Sequence, residues 1–307
     1  MSENENRLPL DRNALLQSLP EDAERYFGKR PKTLKYLGGG SFGKAFRLDY
    51  PDGERIVVKA YRVEGMNETE AFQLRLLGEH TRVPMPKPLF TEKNLLGMSY
   101  IEGRDVLTEP RFLAKPRAAR ERFAREVVTG MLDWHEVSGT AFGHLQNPQY
   151  STWQAFYRTV VDEVLEGVAR VPFSERQRET LELASVRFDD ILSEDAGPPT
   201  LIHGDLNVMN IMADPKTFRL TGFIDPFNSF WADKEYDLFH FRHLMGWRYG
   251  LYEEYKRRAK LSRRVDLKTA YYMAVNEALA YLRAGVKFEL NHILADRRLR
   301  AEMKKAF

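Results

Sequence analysis

Residues 201–210 read Leu-Ile-His-Gly-Asp-Leu-Asn-Val-Met-Asn, and fifteen residues after Asp205 a further stretch opens at Leu220 and closes on Asp225. The order is apolar run, His-Gly-Asp, four residues, Asn, apolar run, turn, apolar run, Asp. That alternation predicts a strand, a loop, a strand, a turn and a third strand. Such a layout would hold Asp205, Asn210 and Asp225 together on loops. One carboxylate can orient a hydroxyl, while an amide and a second carboxylate can hold Mg²⁺ on a nucleotide triphosphate. The competing reading is an Asx-rich hairpin whose side chains only cap turns.

His203-Gly204-Asp205 with Asn210, followed by Ile224-Asp225, resembles the aminoglycoside phosphotransferase and fructosamine kinase group of small-molecule kinases. Eukaryotic protein kinases carry His-Arg-Asp and Asp-Phe-Gly at these places. This chain has His203-Gly204-Asp205 and Asp225-Pro226-Phe227, a departure that favours the small-molecule branch. The resemblance implies an α+β, bilobal protein-kinase-like fold, with an antiparallel sheet and a helix in the first lobe and a mostly helical second lobe. It implies Asp205 as catalytic base and Asn210 and Asp225 as metal ligands. His203 and Asp237 would give structural support, Asp237 by accepting bonds from the catalytic-loop backbone.

Upstream landmarks occur in kinase order. Gly38, Gly40 and Gly43 fit Gly-x-Gly-x-x-Gly between alternating apolar residues, the mark of a hairpin with a flexible tip. A missing Cβ lets backbone N–H groups approach phosphate oxygens. A dinucleotide fingerprint would open a helix here, but residues 44–48 continue as a strand. Ser41 sits at the tip, where its hydroxyl or amide would cap a phosphate. Lys59, in Arg55–Tyr61, resembles the lysine that pairs with α- and β-phosphates. In an apolar strand such a cation needs an anionic partner, and Glu70 is the candidate, with Glu68 as alternative. Asn67 and Glu70 also fit a capping box. The stretch 94–101 would leave the first lobe as the hinge, with Met98 preceding it and Ser99 C=O and Ile101 N–H reading the nucleotide base.

The expected organisation is an N-terminal helical extension over 1–30, a nucleotide-binding lobe over 31–101 and a catalytic and substrate-binding lobe over 102–307. Ala, Arg and Glu content predicts helix over 111–139, a period of 3.6 predicts helices over Trp153–Val168 and Glu175–Ser193, residues 143–148 read as a loop, and the absence of Pro after Pro226 with few glycines predicts nearly continuous helix over 235–306. His135 reads as a packed core histidine.

The chain has no cysteine, which excludes a disulfide framework, a thiol nucleophile and a Cys-based zinc site, and fits a cytoplasmic setting. The leading residues lack the apolar core of a signal peptide, and no run approaches the roughly 18 apolar residues of a membrane span. Residues 251–307 hold 14 Lys and Arg against 7 Asp and Glu, within a chain of net charge +3. This excess reads as solvated helix faces rather than a nucleic-acid surface, and it leans away from a polycationic acceptor. Asp233, Glu235 and Glu277 are the carboxylates that would face such an acceptor if one were used. The expected partners are ATP, with GTP as an alternative, Mg²⁺ and a small hydroxyl compound: a sugar-like metabolite, an amino sugar or an antibiotic. No nucleic acid or membrane partner is expected. A nucleotide-binding pseudokinase acting as a regulatory module is the alternative, but it would be marked by loss of one of the named residues.

Overall fold

The computed structural model describes residues 10–307 other than Ser41, Leu244 and Val286. The candidate Ser41 therefore lies outside the described residues. The chain forms two compact units. One runs up to Glu79 and takes in Pro84–Glu102; the other comprises His80–Val83 and Gly103–Phe307.

The first unit is a five-stranded antiparallel sheet with two helices. The strands are β1 (Thr33–Gly39), β2 (Gly43–Asp49), β3 (Arg55–Tyr61), β4 (Pro88–Glu92) and β5 (Leu95–Ser99), in the order β1-β2-β3-β5-β4. The helices are α1 (Arg12–Phe27) and α2 (Met66–Glu79). Asp11 caps α1 by accepting from the Ala14 N–H at 2.9 Å. In β3, Ile56, Val58 and Ala60 are buried in one cluster with Phe46 and Leu48 of β2 and Leu19 and Ala23 of α1. The two-residue period of a strand puts Val57 and Lys59 on the opposite face. Lys59 is therefore on a central strand, not an edge strand.

The second unit is mostly helical. Its main helices are Arg117–His135, Trp153–Val168, Glu175–Val186, Val265–Ala284 and Glu289–Ala306. An aromatic core joins Trp153–Val168 to Val265–Ala284: Trp153 stacks on Tyr157 with centroids 5.1 Å apart, and Tyr157 meets Tyr272 edge-on at 5.0 Å.

Four expectations are corrected. The helix expected over 111–139 is broken into Pro110–Leu113 and Arg117–His135, because Pro116 restricts the residue before it. The helix expected over Glu175–Ser193 breaks at Arg187 into Glu175–Val186 and Phe188–Ile191. The loop expected over 143–148 is a small hairpin, Phe142–His144 paired with Asn147–Tyr150. The stretch expected as helix from residue 235 begins with 3₁₀ turns, Lys234–Arg242 and Gly246–Tyr249.

Candidate active site

Two short sheets in the second unit fix the loops that carry the candidate residues. The loop with Asp205 and Asn210 leaves strand Thr200–Leu201 and enters Ile211–Ala213; the loop with Asp225 leaves Leu220–Phe223 and enters Phe230–Ala232. Leu201 pairs with Trp231, and Ile211 pairs with Phe223. The loops are thus tied at both ends. Between the ties, Ile224 N–H donates to Asn210 C=O at 3.0 Å and Ser229 Oγ donates to His203 C=O at 2.7 Å. Gly204 has φ +78°, and a Cβ there would come within 2.3 Å of the Phe227 carbonyl oxygen. Only glycine allows this approach.

Asp237 sits beneath the first loop. Its carboxylate accepts from His203 N–H at 2.8 Å and Gly204 N–H at 2.7 Å. His135 Nε2 lies 3.3 Å from it, and Tyr255 Oη lies 2.7 Å from His135 Nδ1. A Tyr255 hydroxyl donating to Nδ1 leaves Nε2 as the donor to Asp237. His135 is a buried supporting residue, in keeping with the reading from its helix. Burial opposes the charge of Asp237, yet the His135 bond and the neighbouring histidines outweigh it and lower its pKa.

Asp205 is held from both sides. Asn207 Nδ2 donates to its Oδ1 at 2.8 Å, and Asn210 Nδ2 donates to its Oδ2 at 3.0 Å and its C=O at 2.8 Å. Burial and then the Asp225 charge push Asp205 up to about 8, against the pull of the two amides. The side chain keeps 33% of its surface exposed, so solvent moderates the shift. A cation beside the two carboxylates would relieve their repulsion. The donor set fits Mg²⁺: Asn210 uses its nitrogen on Asp205, so Oδ1 is the atom it can offer, alongside the Asp225 carboxylate. Mg²⁺ takes few protein ligands and completes its shell with water and phosphate oxygens. Among the described residues, no group of three His, Cys, Asp or Glu forms a protein-only metal cage.

In the first unit, Lys59 Nζ is 2.6 Å from Glu70 Oε2, and Tyr61 Oη donates to the same oxygen at 2.6 Å. Glu70 therefore meets Lys59, and Asn67 is not a cap: its Nδ2 donates to the carbonyls of Lys93 and Leu95 at 3.0 and 3.2 Å. β1 bulges between Tyr36 and Gly38, pairing resumes with Gly38 opposite Ala45 and Gly39 opposite Lys44, and Gly40 N–H donates to Gly43 C=O at 3.0 Å. A Cβ at Gly43 would strike the Ala60 carbonyl oxygen of β3 at 2.7 Å. Met98 is a buried residue of β5 opposite Val57, and Ser99 N–H donates to Lys87 C=O at 3.0 Å. Ile101 follows β5 and is half-buried.

The three carboxylates named as candidates to face a polycationic acceptor are buried instead. Asp233 and Glu235 are buried against Lys268 at 2.6 and 2.8 Å, and Glu277 is buried 2.8 Å from His243 Nε2. Asp233 and Glu235 thus face the Lys268 ammonium inside the unit. Sequence reasoning missed Asn207 and His240. His240 Nε2 lies 2.9 Å from Gly204 C=O, and its Nδ1 lies 3.6 Å from Asp205 Oδ1. The available signal was a histidine inside the apolar run Leu238-Phe239-His240-Phe241.

Comparison with known proteins gives a family and a fold. Residues 33–268 match the model of the phosphotransferase enzyme family. Over 210 residues the chain is 27% identical to "Probable acyl-CoA dehydrogenase IBR3" of Arabidopsis thaliana, covering 64% of this chain and 24% of that protein. The chain thus spans about a quarter of that relative's length. Among solved structures, it is similar to a thermostable mutant of aminoglycoside phosphotransferase APH(4)-Ia in ternary complex with ADP and hygromycin B (TM-score 0.70, 16% identity, 94% of this chain and 98% of that one). It is also similar to a macrolide 2'-phosphotransferase type I (TM-score 0.66, 20% identity, 95% and 99%). At these identities the likeness is one of fold, the kinase-like α+β fold expected from the motif order.

Proposed function

Because the chain belongs to the phosphotransferase enzyme family, we propose that it transfers the γ-phosphoryl group of a Mg²⁺-bound nucleotide, ATP before GTP, to a hydroxyl of a small molecule. The observation that carries this reading is the pair of loops, tied at both ends, that brings Asp205, Asn210 and Asp225 together. The solved relative bound to ADP and hygromycin B supports a nucleotide with a small acceptor.

Each residue then has a part. The glycine-loop amides and Lys59 hold phosphate oxygens, and Glu70 holds the lysine in place. Ser99 and Ile101 lie on the segment that would contact the base. Asn210 and Asp225 hold Mg²⁺, which supplies charge neutralisation on the phosphates. Asp205 accepts a hydrogen bond from the acceptor hydroxyl, orients its oxygen and takes its proton as the new O–P bond forms and the bond from the γ-phosphorus to the β,γ-bridging oxygen breaks, releasing the nucleoside diphosphate. Asn207 and Asn210 fix the direction of that carboxylate. Asp237 and His240 fix the backbone beneath it.

The test is incubation with γ-labelled ATP, Mg²⁺ and a panel of hydroxyl compounds, with the Asp205→Ala protein alongside. The expected result is label transfer to an acceptor, lowered at least about a thousandfold in the variant, while ADP affinity stays within about twofold. Transfer at the wild-type rate by the variant would remove Asp205 from its role. An acceptor-independent protein that binds ATP without transfer would match the regulatory-module alternative instead.

A further inference from the structure

The second unit contains a hollow of about 440 Å³, part of it open to solvent. Its floor is buried and largely aromatic: Trp153, Phe156, Tyr157, Phe230, Tyr236 and Leu279. Its rim is polar, with His144, Thr159, Glu163 and Arg283. The hollow adjoins the catalytic loop. Arg283 Nη1 lies 3.5 Å from Asn228 Oδ1. The Asn228 carbonyl in turn presses on Gly204, where a Cβ would come within 2.2 Å of its oxygen. Gly204 immediately precedes Asp205. The rim residue Arg283 is thus linked through Asn228 to the loop that carries Asp205.

The rim charges cancel. Arg283 faces Glu163 in a two-pronged pair, Nε to Oε1 at 3.2 Å and Nη2 to Oε2 at 3.0 Å. Burial, with the Arg283 cation, lowers the pKa of His144 and so disfavours a charged ring there. Glu163 is the one carboxylate among the lining residues. The carboxylates that would have suited a polyamine, Asp233, Glu235 and Glu277, are paired within the unit. A polycation needs uncompensated acid, and a fixed ion pair over an aromatic floor does not supply it.

We infer that this hollow is the acceptor subsite, and that the acceptor class is an uncharged hydroxyl compound with an apolar body. The apolar body would sit on the aromatic floor, and the Arg283–Glu163 pair would donate to and accept from its hydroxyls. This rests on the kinase reading above and adds the class of acceptor to it.

Calorimetric titration of the full chain tests it. The probes are phenyl β-D-glucopyranoside, as an apolar-bodied neutral polyol, and kanamycin, as a polyamine sugar. Both are titrated with Mg²⁺ and a non-hydrolysable ATP analogue present, into wild type and into Thr159→Phe, which narrows the exposed rim. The expected result is binding of the phenyl glucoside, weakened at least about tenfold in the variant, with kanamycin the weaker ligand. No phenyl glucoside binding at about 10 mM, equal binding by the variant, or preference for kanamycin would each overturn the inference. Titration of the ATP analogue alone checks that both proteins are folded and tests the kinase reading separately. If the analogue does not bind, that reading fails, and the hollow is judged by the glycoside titrations on the nucleotide-free chain.

Discussion

At the scale of single residues, Asp205 depends on neighbours that no motif names. Asn207 bonds Asp205 Oδ1 through its nitrogen and accepts from Met209 N–H at 2.8 Å through its oxygen, so it locks side chain and loop together. Asn207→Ala is expected to lower kcat by about ten- to a hundredfold with nucleotide KM little changed, measured by steady-state ADP release. The buried histidines give a pH signature. His203 is lowered to about 4 and His240 to about 3, both by burial first, against an ordinary value of 6.5. Below pH 6.5 the unfolded chain protonates these rings while the folded chain does not, so their contribution is intact above 6.5 and is lost as pH falls towards 4. Each ring contributes a slope of up to about 1.4 kcal/mol per pH unit. Asp205, raised in the folded state, works in the opposite sense over this window and offsets part of one ring. The net expectation is falling thermal stability from pH 6.5 to 4, with a flatter profile in His240→Gln, read by Tm at each pH. An unchanged slope in that variant would remove His240 from the account.

At the scale of elements, the sequence was most readable where local signals stood alone. The helix Trp153–Val168 begins and ends where its period and Thr152 cap place it. The glycine hairpin and β3 were equally visible, because alternation and glycine spacing act within a few residues. Pro116 was visible too, but its effect was outweighed in the reading by the Ala, Arg and Glu content around it. The hairpin at 142–150 escaped because strands of three and four residues carry almost no period. The Asp233–Glu235–Lys268 cluster escaped for another reason: Lys268 joins from a separate helix, and no local pattern pairs it with acids more than thirty residues away. Burial opposes the charge of Lys268, but Asp233 and Glu235 outweigh it and raise its pKa. Lys268→Met would leave two buried acids without their cation, and is expected to destabilise by about 3–5 kcal/mol in urea unfolding. A loss under about 1 kcal/mol would show that water reaches those acids.

At the scale of the whole molecule, the proposed metal and nucleotide sites bind only the folded chain, so ligand and stability are linked. Mg²⁺ with ADP at about a hundred times Kd should add about 2.7 kcal/mol to unfolding free energy. Asp225→Ala should lose most of the Mg²⁺-dependent part, seen as a smaller rise in Tm on adding Mg²⁺ to ADP. A variant with the full Mg²⁺ response would place the cation elsewhere. The position of Gly204 carries a last consequence. Protein kinases place an arginine there, a side chain able to answer a phosphate added to a distant loop. Here two carbonyl oxygens fill the space a side chain would need. Glycine there leaves no side chain at that point to answer such a phosphate, and the backbone has no room to gain one.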